Sequence, residues 1–316
     1  MYNGIINVYK EAGFTSFDVV AKLRGILGQK KIGHTGTLDP DATGVLPIVA
    51  GNATRLVDML TDKQKEYVAE FKLGVRTDTL DASGRVTETA PVTCEEEKIR
   101  EVILSFAGDI MQIPPMYSAI KVDGKKLYEL ARQGKEIERK PRPVTIHKID
   151  ILSVDRSKLQ IRDGHIVNGP DICDGPDVID TYAVKMRVLC SKGTYIRTLC
   201  DDIGKSLGCF GVMTSLERTK SGAHTKERSY TLGQITALRD EGRLDEIIEP
   251  VDSVFSQYPE YVAKGETLRL IRNGNQIVIP DMTDECVRIY GDDSFIALYE
   301  LKDEKRHLYK AKMMFL

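Results

Sequence analysis

The apolar positions near the N-terminus follow two different periods. Residues 4–8 form a short run rich in Ile and Val that predicts a strand, and the loop Glu11–Ala12–Gly13 follows it. From about Ser16 the spacing changes: Val19, Val20, Leu23, Ile26 and Leu27 recur three and four positions apart, which predicts a helix with one buried face. Thr15 or Ser16 can cap that helix, because a hydroxyl oxygen there accepts from the orphan N–H groups of the first turn, and Gly28 stops it. Residues 67–73 and 183–189 alternate as strands. Residues 95–106, through Ile99, Val102, Ile103 and Phe106, and 196–207, through Ile196, Leu199, Ile203 and Leu207, read as amphipathic helices. Between the first helix and the apolar run 45–50 lies a stretch dense in Gly, Thr, Pro and Asp.

Two shifts mark the second half of the chain. Residues 162–180 hold Gly164, Asn168, Gly169, Pro170, Gly175 and Pro176 among several Asp, the composition of a surface excursion between strands. Residues 257–259 read as a linker. Beyond it, 268–271, 276–279, 287–290, 295–299 and 307–313 resemble closely spaced short strands. A tail of roughly 55 residues is small for a core of its own, so it is expected to pack on the main body. There is no internal repeat and no low-complexity segment.

Length and composition narrow the class. The chain has 316 residues, a formal net charge of −2, and hydrophobic and charged fractions of 41% and 29%, which suits a folded protein and not a disordered one. At roughly 100–200 residues per domain, one large domain and one smaller are expected. No apolar stretch reaches the roughly 18 residues of a membrane span, and residues 1–10 lack the features of an export signal, so the chain reads as cytoplasmic. Cys94, Cys173, Cys190, Cys200, Cys209 and Cys286 include no C-x-x-C pair and the five histidines are scattered, which argues against a zinc site or a disulfide framework. The near-neutral total hides blocks of charge. Residues 19–38 carry four basic side chains and no acid; 121–148 and 185–228 each carry nine against four; 150–180 and 239–260 are acidic. Such blocks are commonly solvated surface, but three basic ones in a single chain suit a polyanionic ligand.

The densest chemistry lies in Gly33-His34-Thr35-Gly36-Thr37-Leu38-Asp39-Pro40-Asp41-Ala42-Thr43-Gly44-Val45-Leu46-Pro47. Gly33, Gly36 and Gly44 permit positive φ or close backbone approach, and Pro40 pushes Asp39 away from helical geometry. An extended Asp in a stiff loop beside His34 and several hydroxyls is a candidate fixed carboxylate; the same pattern also makes an Asx turn. The glycine spacing of residues 28–35 imitates a phosphate-binding loop. His34 stands where the phosphate-reaching Lys belongs, and a helix leads in instead of a strand, so a nucleotide hydrolase is excluded. A glycosidase using Asp39 with Asp41 is disfavoured, because two residues in one turn do not secure opposed carboxylates roughly 5–9 Å apart.

Residues 33–47 resemble the catalytic loop of the TruB family of bacterial tRNA pseudouridine-55 synthases. Three further segments resemble that family's motifs, in its order: Lys65-Glu66-Tyr67 with the stretch from Gly74 through Thr77-Asp78-Thr79 and Asp81 to Gly84; Pro114-Pro115-Met116-Tyr117-Ser118-Ala119-Ile120-Lys121; and Cys190-Ser191-Lys192-Gly193-Thr194-Tyr195-Ile196-Arg197-Thr198-Leu199. The resemblance spans roughly residues 3–229 and fits the stand-alone bacterial branch better than the relatives that use guide RNAs. Glu11 follows Lys10 where the family usually has Pro, and the 162–180 excursion is longer and more acidic than is usual.

The resemblance implies an α+β pseudouridine synthase fold: a mixed, largely antiparallel sheet flanked by helices over 1–256, with a basic RNA-gripping lobe at about 115–148 and an acidic insert at about 156–180. A small β-rich PUA-like RNA-binding module follows over 257–316. It implies isomerisation of a uridine, U55 in the T-arm of tRNA, with no cofactor or metal. It further implies a monomer without an obligate protein partner, and leaves room for an added role in tRNA folding. Asp39 matches the catalytic aspartate, acting either on C1′ or through a proton abstraction that gives a glycal. Arg197 matches the pocket arginine that keeps the carboxylate ionised, and Tyr67 the tyrosine that stacks on the base and helps take the C5 proton. Leu216 matches an apolar wall. His34 fills the space left by the flipped base, and Asp81 and Thr37 support the site from behind. Lys30, Lys121, Lys125, Lys126 and Lys192 are the candidate contacts to the RNA backbone.

Overall fold

The protein is described as a computed structural model covering residues 1–118, 120–122, 124–167, 172 and 175–316. Among these residues an eleven-stranded sheet runs through the body of the molecule. Its central strand is Lys65–Leu73, flanked antiparallel by Val178–Cys190 on one side and Gly211–Ser221 on the other. Beyond Val178–Cys190 lies the 21-residue strand Arg142–Arg162. Beyond Gly211–Ser221 come Thr43–Ala50, joined in parallel, and then Gly4–Lys10, antiparallel. The sheet is therefore mixed and largely antiparallel, and helices cover it, as the α+β expectation requires.

Local chemistry explains the first helix, Ser16–Leu27. The Thr15 hydroxyl accepts from the Asp18 N–H at 3.0 Å and the Asp18 carboxylate accepts from the Thr15 N–H at 2.9 Å, a reciprocal cap. Gly28 ends it in the left-handed region at φ +63. Val19, Val20, Leu23 and Leu27 pack with Ile6, Val8, Leu46 and Ile48 of the sheet. At the other end of the sheet, Glu96–Ser105 and Ile196–Ser206 bury Ile99, Ile103, Leu199 and Ile203 against Ala69, Phe71, Met186 and Val188. Burial of this kind stabilises by roughly 25 cal/mol per Å² of apolar surface, so the sheet holds both helix layers more by packing than by helix propensity.

The C-terminal part forms a second sheet of five strands, with Ser294–Asp303 at its centre, and fits a PUA-like module. It packs on the main body through Ile5, Val49, Leu56, Phe255, Leu298 and Phe315. Phe255, Phe295 and Phe315 stack there with ring centroids 5.2–6.0 Å apart. One expected strand is a helix: residues 268–271 lie in the helix Gly265–Arg272. The run Leu268-Arg269-Leu270-Ile271 is too short to separate the two periods. The helical solution buries Ile271 and pairs Arg269 with Glu266 one turn earlier. The first part of the 162–180 excursion is more regular than a loop, since Arg142–Arg162 turns back at once into His165–Val167, while 168–171, 173 and 174 lie outside the described residues.

The parallel join matters most for the site. Thr43 and Gly44 pair with Glu217 and Arg218, and the backbones approach so closely that a Cβ on Gly44 would meet the Arg218 carbonyl oxygen at 2.2 Å. Gly44 also has φ +107, and Gly36 +127, whereas Gly33 sits in a strand without positive φ. Gly44→Ala is expected to destabilise the fold by about 1–3 kcal/mol, read as a lower urea midpoint at unchanged slope.

Candidate active site

Asp39 lies on the loop between the strands Ile32–His34 and Thr43–Ala50, and the loop is tied down at nearly every residue. The Ser16 hydroxyl accepts from the Leu38 N–H at 2.9 Å. Lys10 is fully buried, and its ammonium donates to the carbonyls of Glu11, Phe14 and Pro40 at 3.1, 2.6 and 2.9 Å. Burial lowers its pKa to about 8. Arg218, 1% exposed, reaches under the loop from the neighbouring strand. Its guanidinium donates to Val45 O at 2.6 Å, Thr37 O at 3.4 Å and Gly36 O at 3.5 Å. Thr37 thus contributes its carbonyl, while its side chain is exposed. Reading the sequence alone passes over both Lys10 and Arg218, because a buried cation carries no sequence mark. For Lys10 the one available signal is its place at the end of an apolar strand; Arg218, between Glu217 and Thr219, has none.

The Asp39 carboxylate faces Arg197, which stands in the first turn of Ile196–Ser206 and is 6% exposed. Arg197 meets both carboxylate oxygens, Nε to Oδ2 at 3.1 Å and Nη2 to Oδ1 at 3.3 Å, a two-pronged pairing that fixes the plane of the carboxylate. The rest of the guanidinium is committed elsewhere. Nη1 donates to Thr79 O at 2.9 Å and to Asp81 Oδ2 at 3.4 Å, and Nη2 donates to Tyr117 O at 2.8 Å. Asp81, expected to support the site, does so by this contact.

The remaining predicted residues divide. Tyr67 stands opposite Arg218 across the central ladder, and Leu216 stands opposite Ala69, so all four share a face of the sheet. Tyr67 and Leu216 are half-buried against the same apolar cluster. Burial raises the Tyr67 pKa, so its phenol keeps its proton at neutral pH. His34 is half-buried, its Nδ1 has no partner, and burial lowers its pKa, leaving the ring neutral. Among the lysines, Lys30 and Lys125 are exposed, and Lys192 pairs with Asp62 at 2.7 Å. Lys121 and Lys126 belong to the short hairpin Lys121–Val122 and Lys125–Lys126, and their side chains lie outside what the structure describes. A cavity of about 550 Å³ at the seam with the C-terminal sheet includes Asp252, Tyr290, Phe295 and Phe315 but none of Asp39, Tyr67 or Arg197.

Two effects oppose each other at Asp39. Burial raises its pKa, Arg197 lowers it, and burial prevails, so the carboxyl stands above the ordinary carboxylate value. Folding therefore favours the protonated carboxyl: its contribution to stability is full below the unfolded value of about 3.9 and is lost as pH rises through the folded one. The stability of the wild type minus that of Asp39→Asn should accordingly decline from acid to neutral pH, measured by urea unfolding across that range.

The chain as a whole has relatives among known proteins. The family model for the N-terminal domain of TruB family pseudouridylate synthases matches residues 24–169. The model for the tRNA pseudouridylate synthase B C-terminal domain matches 197–256. The chain is 51% identical to the tRNA pseudouridine synthase B of Lachnoclostridium phytofermentans, over 99% of this chain and 100% of the relative. It is 44% identical to that of Clostridium novyi, over 92% and 93%. Among solved structures, a chain of the archaeal box H/ACA sRNP Nop10–Cbf5 complex is similar, with a TM-score of 0.66 and 26% identity over 99% of this chain and 86% of that one. With both family models matched and near full-length relatives at this identity, the chain belongs to the TruB family of pseudouridine synthases.

Proposed function

We propose that the protein converts a uridine in the T-arm of tRNA, U55, to pseudouridine, with Asp39 as the reacting carboxylate. The observation that carries this reading is the two-pronged Arg197–Asp39 pair, oriented on both oxygens yet with 38% of the aspartate side chain open. The names of the relatives supply the tRNA, and the motif resemblance supplies the position of the uridine. The reaction breaks N1–C1′, joins C5 to C1′, moves the C5 proton to solvent and returns a proton to N1, with no change of oxidation state. Arg197 keeps Asp39 ionised in a partly dry site and holds it in one plane, so little reorganisation is needed when charge develops at C1′. Tyr67 offers a flat neutral face for the base, and Leu216 an apolar wall that excludes water. A uridine inside a folded arm has to leave its stack to be reached. His34, a neutral and half-buried ring beside the loop, is suited to occupy the space it leaves. The 115–148 lobe grips the RNA backbone, and the 257–316 module adds a second RNA contact.

Tritium release from C5-labelled uridine in a T-arm stem-loop tests the reading. Asp39→Asn is expected to lose roughly 10⁴-fold in single-turnover rate with RNA binding retained. Tight binding by the wild type with no release would replace the reading with RNA folding alone.

The lobe has its own test. Reversing charge at Lys125 and Lys126 should weaken tRNA binding and flatten the plot of log affinity against log salt by about 1 for each phosphate no longer neutralised. An unchanged slope would remove the lobe from the interface.

A further inference from the structure

The long excursion after residue 155 has no part in the chemistry above, yet its described residues touch the loop that holds Arg197. The strand Arg142–Arg162 turns through Asp163 and Gly164 into His165–Val167. The Gly164 carbonyl accepts from the Val86 N–H at 2.8 Å, and His165 bridges antiparallel to Arg85. Arg85 lies close over that turn: a Cβ on Gly164 would stand 3.3 Å from its Nε. Beneath, Leu159 and Ile166 close an apolar cluster with Val75 and Val212, and Ala82, Val86, Ile161 and Ile179 pack around it. Val75, Ala82 and Val86 all belong to residues 75–86, whose loop carries Thr79 and Asp81.

That loop is closed on itself and open to support from one side. The Asp81 Oδ1 accepts from the hydroxyls of Thr79 and Ser83 at 2.7 and 2.5 Å and from the Ser83 N–H at 3.1 Å. Its main chain accepts from the Thr77 hydroxyl at 2.7 Å. The Ala82 N–H donates to Met213 O at 2.8 Å, tying the loop to the central sheet. Asp78 Oδ1 accepts from the Arg85 N–H at 2.8 Å, which links the same loop to the residue covered by the excursion. The opposite face of the loop meets Arg197 through Thr79 O and Asp81 Oδ2.

We infer that the strand end and hairpin 156–167 form a strut that holds residues 77–85 against Arg197, with Ile166 and Gly164 as its positioning residues. The path runs from the hairpin, through Ala82 and Arg85, to Thr79 and Asp81, then to Arg197 and to the plane of the Asp39 carboxylate. The inference rests on the reading of Asp39 as the reacting carboxylate.

The ladder makes a clean test possible, because Gln160 and Val178 are direct partners across it and an Asn-Gly turn can join them. This shortened protein should retain wild-type RNA affinity and lose about 10- to 100-fold in single-turnover tritium release at saturating enzyme, the scale of a small misplacement of reacting groups. Combined with Asp81→Asn, it should be little worse than Asp81→Asn alone, since both act on one contact. Ile166→Ala should give a smaller loss in the same direction, and decides the matter if the shortened chain does not fold. A wild-type rate, a loss that adds fully to that of Asp81→Asn, or a loss of RNA affinity with an unchanged saturated rate would each overturn the strut. Full activity of Asp39→Asn, run alongside, would instead overturn the reading of the site.

Discussion

A single buried guanidinium organises this molecule. Arg197 is removed from water, and a cation in that position is tolerated only when its donors are met and its charge is compensated. It finds partners on three segments far apart in the chain: Asp39, Thr79 with Asp81, and the Tyr117 carbonyl. None of the three loops can drift without leaving charge or a donor unpaired inside the protein. The cost of burying Arg197 is therefore also what makes the loops a unit, and the helix Ile196–Ser206 carries it there in its first turn while Leu199 and Ile203, on another face, anchor the helix in the core.

Arg218 works by a different logic. It donates to the carbonyls of Val45, Thr37 and Gly36, which fixes backbone, and its guanidinium also reaches the Tyr67 side chain. Lys10 does the same from the other side through Pro40. Between them the Asp39 loop is held by its main chain, and Arg197 alone touches its carboxylate among the described ion pairs. At Asp39, burial, helped by the neighbouring carboxylates of Asp81 and Asp41, outweighs Arg197 and Lys10, and the carboxyl is more basic than in water.

How much of this was legible follows from where each signal resides. The first helix could be read to its caps, because Thr15, Asp18 and Gly28 act within a few residues of one another. The four motif segments could be read as one site through resemblance, and the structure brings Asp39, Asp81, Tyr117 and Arg197 together. What was hidden depends on packing at long range. Residues 268–271 look alike as helix or strand until the C-terminal sheet offers Ile271 a place. Arg218 looks like one more charge in a basic block until the parallel join with Gly44 puts it under the loop. The hairpin after residue 155 reads as an irregular excursion because its order comes from Arg85 and Val86, far earlier in the chain.

The charge blocks also change meaning in three dimensions. Lys185 pairs with Glu70, Lys192 with Asp62 and Lys226 with Glu217, each at 2.7 Å, so part of the basic surface is already compensated. Lys185 and Lys192 form exposed pairs, and such pairs contribute only about 0–1 kcal/mol. A phosphate can take the lysine from its acid at little cost, while the acid returns to water. The Arg197–Asp39 pair is buried on the arginine side and cannot be exchanged so cheaply. The molecule thus holds two kinds of ion pair: exposed ones that are cheap to exchange, and one buried on the arginine side that is not. An enzyme whose substrate is itself highly charged needs that difference, since otherwise the arginine that orients the carboxylate would be drawn to the phosphates.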